Sequence, residues 1–155
     1  MAIVNGGVNG DTSAGALGRL PALLDEHRPA LVLVTLGGND MLRPFFPQSQ
    51  TVANLDRMLA LAKASGAVAV LIATPRPSLT GVLFGHLTAA AFYRQVAASN
   101  DVPLIEGAIA EVLSDPLMRL DPLHPNAAGH ALLAKKIFEE LRAMGFARQS
   151  RTDHD

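Results

Sequence analysis

The chain has 155 residues, 49% hydrophobic and 17% charged, which is enough apolar material for one buried core and too little charge for a disordered chain. Its 13 basic and 14 acidic side chains nearly cancel, so it has no cationic footprint for a phosphate backbone or an anionic membrane, and no nucleic-acid partner is expected. It has no cysteine, which excludes disulfides, thiolate metal sites and a thiol nucleophile while leaving the compartment open.

The first residues, Met1-Ala2-Ile3-Val4-Asn5-Gly6-Gly7, have neither the basic region nor the apolar stretch of an export signal, so no signal peptide is expected in this chain. No apolar run approaches the roughly 18 residues of a membrane span, and none is expected. Ile3-Val4 reads as a short strand. Ala14 to His27 reads as a helix whose stripe is Leu17, Leu20, Leu24 and His27, with Thr12 or Ser13 as its cap. Ala30 to Leu36 (ALVLVTL) and Ala67 to Thr74 (AVAVLIAT) are apolar runs without alternation, the pattern of strands buried on both faces. Between them Leu55, Met58, Leu59 and Ala62 form a second helical stripe. Pro75 to Leu87 is a breaker-rich connection and candidate pocket wall before a helix over Ala89 to Ser99. Val102 to Ile105 reads as a last strand, and Leu133, Ile137, Leu141 and Met144 mark a final helix. One domain over 1–146 is expected, followed by a polar tail, 147–155, that frays.

Alternating strands and helices argue for an α/β fold in which helices cover both faces of a parallel sheet. Ligands in such folds bind beyond the carboxyl ends of the strands.

Three corners carry residues with chemical potential. Asp121-Pro122-Leu123-His124-Pro125-Asn126 precedes the final helix, where Asn126 can act as the cap. A carboxylate three residues before an imidazole can take its Nδ1–H and leave Nε2 as a general base; the alternative is an Asx turn with a surface histidine. Gly37-Gly38-Asn39-Asp40 follows a strand directly, so the Asn39 amide can meet a developing oxyanion beside two glycines that let a ligand approach. The alternative is a plain turn in which Asn39 or Asp40 caps the next helix. Gly10-Asp11-Thr12-Ser13 offers the Gly10 N–H as a further donor, with Thr12 or Ser13 as simple caps in the plainer reading.

Together these corners resemble the SGNH or GDSL hydrolases, especially their small bacterial thioesterase, lysophospholipase and arylesterase branch. Asn5 to Leu20 (NGGVNGDTSAGALGRL) is similar to the family's second block, Leu33 to Arg43 (LVTLGGNDMLR) to its third, and Asp121 to Asn126 (DPLHPN) to its fifth. The resemblance implies a flavodoxin-like three-layer α/β/α sandwich. It also implies that Gly10 and Asn39 are oxyanion donors, His124 the general base and Asp121 its orienting partner. Hydrolysis of an ester or thioester is the implied activity, with Leu83, Phe84 and Leu87 as candidate acyl contacts.

One departure matters: the family's first block, a strand followed by Gly-Asp-Ser with the nucleophile, has no counterpart here. No Gly-Asp-Ser occurs, and of seven serines only Ser13 stands near a matching corner. In the flavodoxin-like order the absent strand lies between Ile3-Val4 and Ala30 to Leu36, a gap of roughly 9–10 Å. Unpaired buried backbone costs about 1–3 kcal/mol per group, so the slot calls for an occupant. A second copy or a separate segment can pair there, making a homo-oligomer or a strand exchange. Alternatively, Ile3-Val4 slides over to pair with Leu31 to Leu36 and brings Thr12 or Ser13 to His124. In a third outcome the chain is a truncated product with an inert or weakly active remnant site, acting as a binding or self-associating domain. No cofactor is expected, because no G-x-G-x-x-G follows a strand and no Gly-Lys-Ser/Thr occurs. No metal is expected from His124 and His130, which fall on different helix faces.

Overall fold

The computed structural model describes residues 2–45 and 47–146. In chain order the elements are α1 (Ser13–His27), β1 (Leu31–Val34), α2 (Gly38–Met41), α3 (Gln48–Ala64), β2 (Val68–Ile72), α4 (Leu79–Leu83), α5 (Phe92–Asn100), β3 (Leu104–Ile105), α6 (Ala108–Ser114), the 3-10 turn η1 (Pro116–Met118) and α7 (Ala127–Ala143). The strands form one parallel sheet in the order β1-β2-β3. Among the described residues no helix is long and apolar enough to cross a membrane.

β2 is central, and its side chains divide between two cores as the period of two requires. Leu71, Ala69 and Ala73 join Leu55, Met58, Leu59 and Ala62 of α3 and Phe92, Tyr93 and Val96 of α5. Val70 and Ile72 turn the other way, onto Ile105, Ala108 and Leu141, with Leu133 and Ile137 of α7 closing that side. Helices therefore cover both faces, and the expected three-layer α/β/α arrangement is present.

The ends of the helices follow local chemistry. Thr12 caps α1 by accepting from the Gly15 N–H at 3.3 Å, and Arg28 ends the helix in the left-handed region just before Pro29. Asn126 caps α7 by accepting from the Gly129 N–H at 2.9 Å, as its position predicts.

Several sequence expectations are corrected. Ile3-Val4 is not a strand: the segment has no regular structure, and Ile3 and Val4 are 85% and 56% exposed. Arg19 binds the Gly6 carbonyl at 3.0 Å, and Gly6 lies against Leu23, so the segment follows α1 and has no neighbouring strand with which to form a ladder. The slide that would pair Ile3-Val4 with Leu31 to Leu36 is likewise not what the chain adopts, since among the described residues β1 pairs with β2 alone. β1 is consequently an edge strand, with Leu33 42% exposed, rather than a strand buried on both faces. The helix expected over Ala89 to Ser99 starts at Phe92, because Ala89 bridges back to Pro75 and the Ala90 N–H binds the Thr74 carbonyl. The tail, 147–155, lies outside the described residues.

Candidate active site

The Gly10 and Asn39 corners are joined at two points. Asn39 donates from Nδ2 to the Asp11 carbonyl at 2.9 Å. Asp40, one residue later and 1% exposed, accepts from the Ser13 N–H at 2.9 Å and from Ser13 Oγ at 2.5 Å. A carboxylate facing the first N–H of α1 satisfies an orphan donor and suits the positive end of the helix dipole. Gly10 has a φ of +72°, which a side chain rarely adopts, and the Asp11 N–H closes the turn onto the Val8 carbonyl at 3.2 Å. The Gly10 N–H and the second Nδ2 hydrogen of Asn39 have no acceptor among the described residues, so each corner keeps one donor to spare.

Ser13 is enclosed by its hydrogen-bond partners. It is fully buried, donates to Asp40 and accepts from Asn54 Nδ2 at 2.9 Å. Thr12 Oγ1 accepts the capping bond and keeps its own O–H, and neither hydroxyl is hydrogen-bonded to His124 among the described residues. The two glycines also face side chains of the protein. A Cβ on Gly37 would stand 2.5 Å from the Tyr93 hydroxyl, so that position admits only glycine, whereas one on Gly38 would make ordinary contact with Thr74 at 3.6 Å.

At the third corner the dyad and the Asx turn coexist. Asp121 Oδ1 accepts from the Leu123 N–H at 2.7 Å and the His124 N–H at 3.0 Å, while both carboxylate oxygens lie 2.9 Å from His124 Nδ1. An ionised carboxylate only accepts, so in the neutral imidazole Nδ1 carries the proton and Nε2 keeps its lone pair. The Leu123 N–H first, and then the His124 side chain, hold the Asp121 carboxyl below its ordinary 3.8. Asp121 and His124 are 45% and 61% exposed, so the dyad opens directly on solvent.

The dyad turn is fastened to its neighbours through backbone atoms. Arg119 donates to the carbonyls of Leu113 and Val82, both at 3.1 Å, which ties the turn to α6 and to α4. α4 belongs to the connection leaving the carboxyl end of β2, as the Asn39 corner leaves that of β1; both lie on the side of the sheet where α/β folds place ligands. Of the three candidate acyl contacts, Leu83 and Phe84 are exposed, whereas Leu87 is largely buried against Ala110 and Leu113. Among the described residues no three His, Cys, Asp or Glu side chains cluster as metal ligands.

Residues 1–132 match the model of the GDSL-like lipase/acylhydrolase family. The chain belongs to that family. It is similar to thioesterase 1/protease 1/lysophospholipase L1 of Escherichia coli strain K12, with 38% identity over 143 residues that cover 92% of this chain and 68% of that protein. An arylesterase of Vibrio mimicus is 35% identical over 142 residues, covering 91% of this chain and 70% of its own length. A crystal structure of TesA superposes with a TM-score of 0.77 at 36% identity, covering 92% of this chain and 79% of that one.

Two side chains of this GDSL-like chain matter to the site without a signal in the sequence. Asp40 reads locally as a cap for the helix that follows Asn39, yet it caps α1, 27 residues back. Tyr93 carries no local motif, yet its hydroxyl joins Thr74 Oγ1 at 2.7 Å and the Leu36 carbonyl at 2.6 Å, pinning the ends of β1 and β2 beneath Gly37. Neither has a local signal, because the partners come together only through the sheet.

Proposed function

We propose that this chain carries the ester- and thioester-hydrolysing site of its family, with His124 as general base, Asp121 as its orienting acid, and the Gly10 N–H and Asn39 Nδ2 as oxyanion donors. The observation that carries this reading is the contact of His124 Nδ1 with both Asp121 oxygens at 2.9 Å, which leaves Nε2 as the basic atom. A hydroxyl nucleophile adds to the acyl carbonyl as Nε2 takes its proton, and the two donors hold the resulting oxyanion. Collapse expels the alcohol or thiol, protonated by His124, and leaves an acyl ester on the nucleophile. Water then adds with His124 as base again, releasing the carboxylic acid and restoring the hydroxyl.

The engagement of Ser13 by Asp40 and Asn54 argues against Ser13 as that nucleophile and favours a hydroxyl brought by a segment pairing with the open edge of β1, from a second copy or another chain. Substrates are ester or thioester small molecules with an acyl group lying toward Leu83 and Phe84. Turnover of p-nitrophenyl octanoate and octanoyl-CoA tests the reading, with His124→Ala abolishing it and Asn39→Ala lowering it about 100- to 1000-fold. Fluorophosphonate labelling with mass mapping identifies the nucleophile: label on Thr12 makes the chain self-contained, and no label assigns the hydroxyl elsewhere.

The second reading is a binding or self-associating domain without turnover of its own. It is favoured by the absence, among the described residues, of any hydroxyl bonded to His124. Ester hydrolysis equal in the wild type and His124→Ala, together with retained octanoate binding, selects it.

A further inference from the structure

The carboxylate of Asp40 has no assigned task in the proposed chemistry, yet it is among the most completely enclosed polar groups of the protein. It receives the Ser13 N–H at 2.9 Å, Ser13 Oγ at 2.5 Å and Thr51 Oγ1 at 3.3 Å. Asn54 extends the network by donating to Ser13 Oγ at 2.9 Å, and Gln50 by donating to Asn54 at 3.2 Å. The described residues offer Asp40 no lysine or arginine within ion-pair distance, so its charge is held by dipoles alone. Removing a charge from water in this way is expensive unless every lone pair is met, and here the donors come from α1 and α3, not from its own short helix.

Geometry gives the arrangement a purpose. Consecutive residues of α2 grip the α1 corner at alternate positions: Asn39 takes the Asp11 carbonyl and Asp40 takes Ser13. Between and beside those grips stand Thr12 and Gly10. The preceding residues, 2–8, have no regular structure, and the two grips are direct links between the Gly10 corner and the Asn39 corner. An oxyanion site tolerates only about 0.5 Å of error in the distance between its donors.

We propose that Asp40 is a positioning residue, which holds the Gly10 corner against Asn39 so that their two spare donors converge on one anion. This role rests on Gly10 and Asn39 being the oxyanion donors. It adds that the hole is preorganised by a buried carboxylate that never touches the substrate.

The test uses the intact chain with octanoate, the carboxylate product, as the anion probe. Four variants are compared by thermal melt, by 15N relaxation of Gly10, Asp11, Thr12 and the Asn39 side chain, and by NMR titration of octanoate. Asp40→Asn replaces an acceptor with a donor facing Ser13. It is expected to lower order parameters at those sites from the rigid range near 0.85 toward values below about 0.6, and to weaken octanoate about tenfold or more. Ser13→Ala, which keeps the N–H bond and loses the hydroxyl, is expected to give an intermediate effect and stands in if Asp40→Asn does not fold. Thr51→Val removes the longer bond to Asp40 Oδ1, the oxygen that also takes Ser13 Oγ, and leaves both Ser13 bonds in place, so it lowers the melting temperature and leaves octanoate affinity unchanged. Asn39→Ala weakens octanoate by direct loss of a donor.

Unchanged order at Gly10 to Thr12 in Asp40→Asn, or in Ser13→Ala where the former is unfolded, overturns the role. So does a loss of affinity in Asp40→Asn and Thr51→Val that simply follows their melting temperatures. Order lost in Asp40→Asn with octanoate affinity unchanged there and in Asn39→Ala instead removes the oxyanion reading, and leaves Asp40 as a clamp without a catalytic consequence.

Discussion

The phenol of Tyr93 donates 2.6 Å to the carbonyl of Leu36, a contact between residues 57 positions apart that fastens α5 to the exit of β1. Thr74, at the exit of β2, meets the same hydroxyl at 2.7 Å. One side chain thus sets the spacing of the two strand ends from which the Asn39 corner and the α4 connection depart. Burial pushes the phenol up to about 12, against an ordinary value of 10.0, with the Thr74 bonds opposing that rise in part. A raised folded value means that the neutral phenol stabilises the fold fully below pH 10, and that this contribution is lost as pH rises through about 12. The chain has a single tyrosine, so absorbance at 295 nm reports this group alone. The expected native midpoint is near 12, falling to near 10 in urea; a native midpoint of 10 refutes it. Tyr93→Phe strands the Leu36 carbonyl and should cost about 1–3 kcal/mol in a urea melt.

Asp121 gives the opposite sign. Its folded pKa is depressed, so its bonds to Leu123 and His124 are complete above the ordinary 3.8 and are lost as pH falls through a lower value. The 13C carboxyl signal should therefore titrate below 3.8, and the Leu123 and His124 amide signals should move with it. In Asp121→Asn the imidazole loses the partner that selects the Nδ1–H tautomer, and 15N shifts of His124 should become a mixture of the two forms. Retention of a pure Nδ1–H form would show that the carboxylate does not orient the ring.

What sequence made legible was whatever closes over a short span or repeats with a period. β2 declared itself because a strand covered on both faces has no polar positions, and Asp121, His124 and Asn126 because their bonds close within one turn and one cap. What it withheld depends on neighbours distant along the chain. Propensity marks Ile3-Val4 as a strand, but a strand exists only beside a ladder partner, and here the segment runs along α1. Leu33 reads as core by composition, yet it is 42% exposed on a strand that has no partner on its outer side among the described residues. The bond between Asp40 and Ser13 spans 27 residues, so no local pattern announces which acid is surface and which is buried.

Gly129 supports the dyad from behind. A Cβ there would lie 1.9 Å from the Met118 carbonyl and 3.0 Å from Pro125, because the first turn of α7 rests on the backbone of η1. Rigid backbone cannot yield as a side-chain tip does, so Gly129→Ala should push η1 and the Asp121 turn away from α7. The expected cost is about 1–3 kcal/mol in a thermal or urea melt, with shifts at His124. An alanine variant of native stability and unchanged His124 signals would show that the contact is slack.

The outer edge of β1 carries the last prediction. The Val68 N–H binds the Ala30 carbonyl, and the parallel register runs Leu31 with Val68 to Val34 with Leu71. In that pattern the backbone groups of residues 30, 32 and 34 face β2, while those of Leu31, Leu33 and Thr35 face outward. This edge has no charge, proline or bulge, the devices that normally prevent strands from pairing between molecules. Two copies related by a two-fold axis can pair antiparallel about Leu33, matching Leu31 of each with Thr35 of the other. The chain should therefore sediment as a dimer or larger species at micromolar concentration. Leu33→Lys places a charge on that strand and should shift the population to monomer without lowering the melting temperature of the monomer. A wild type that sediments strictly as a monomer would show that a second copy does not occupy the edge.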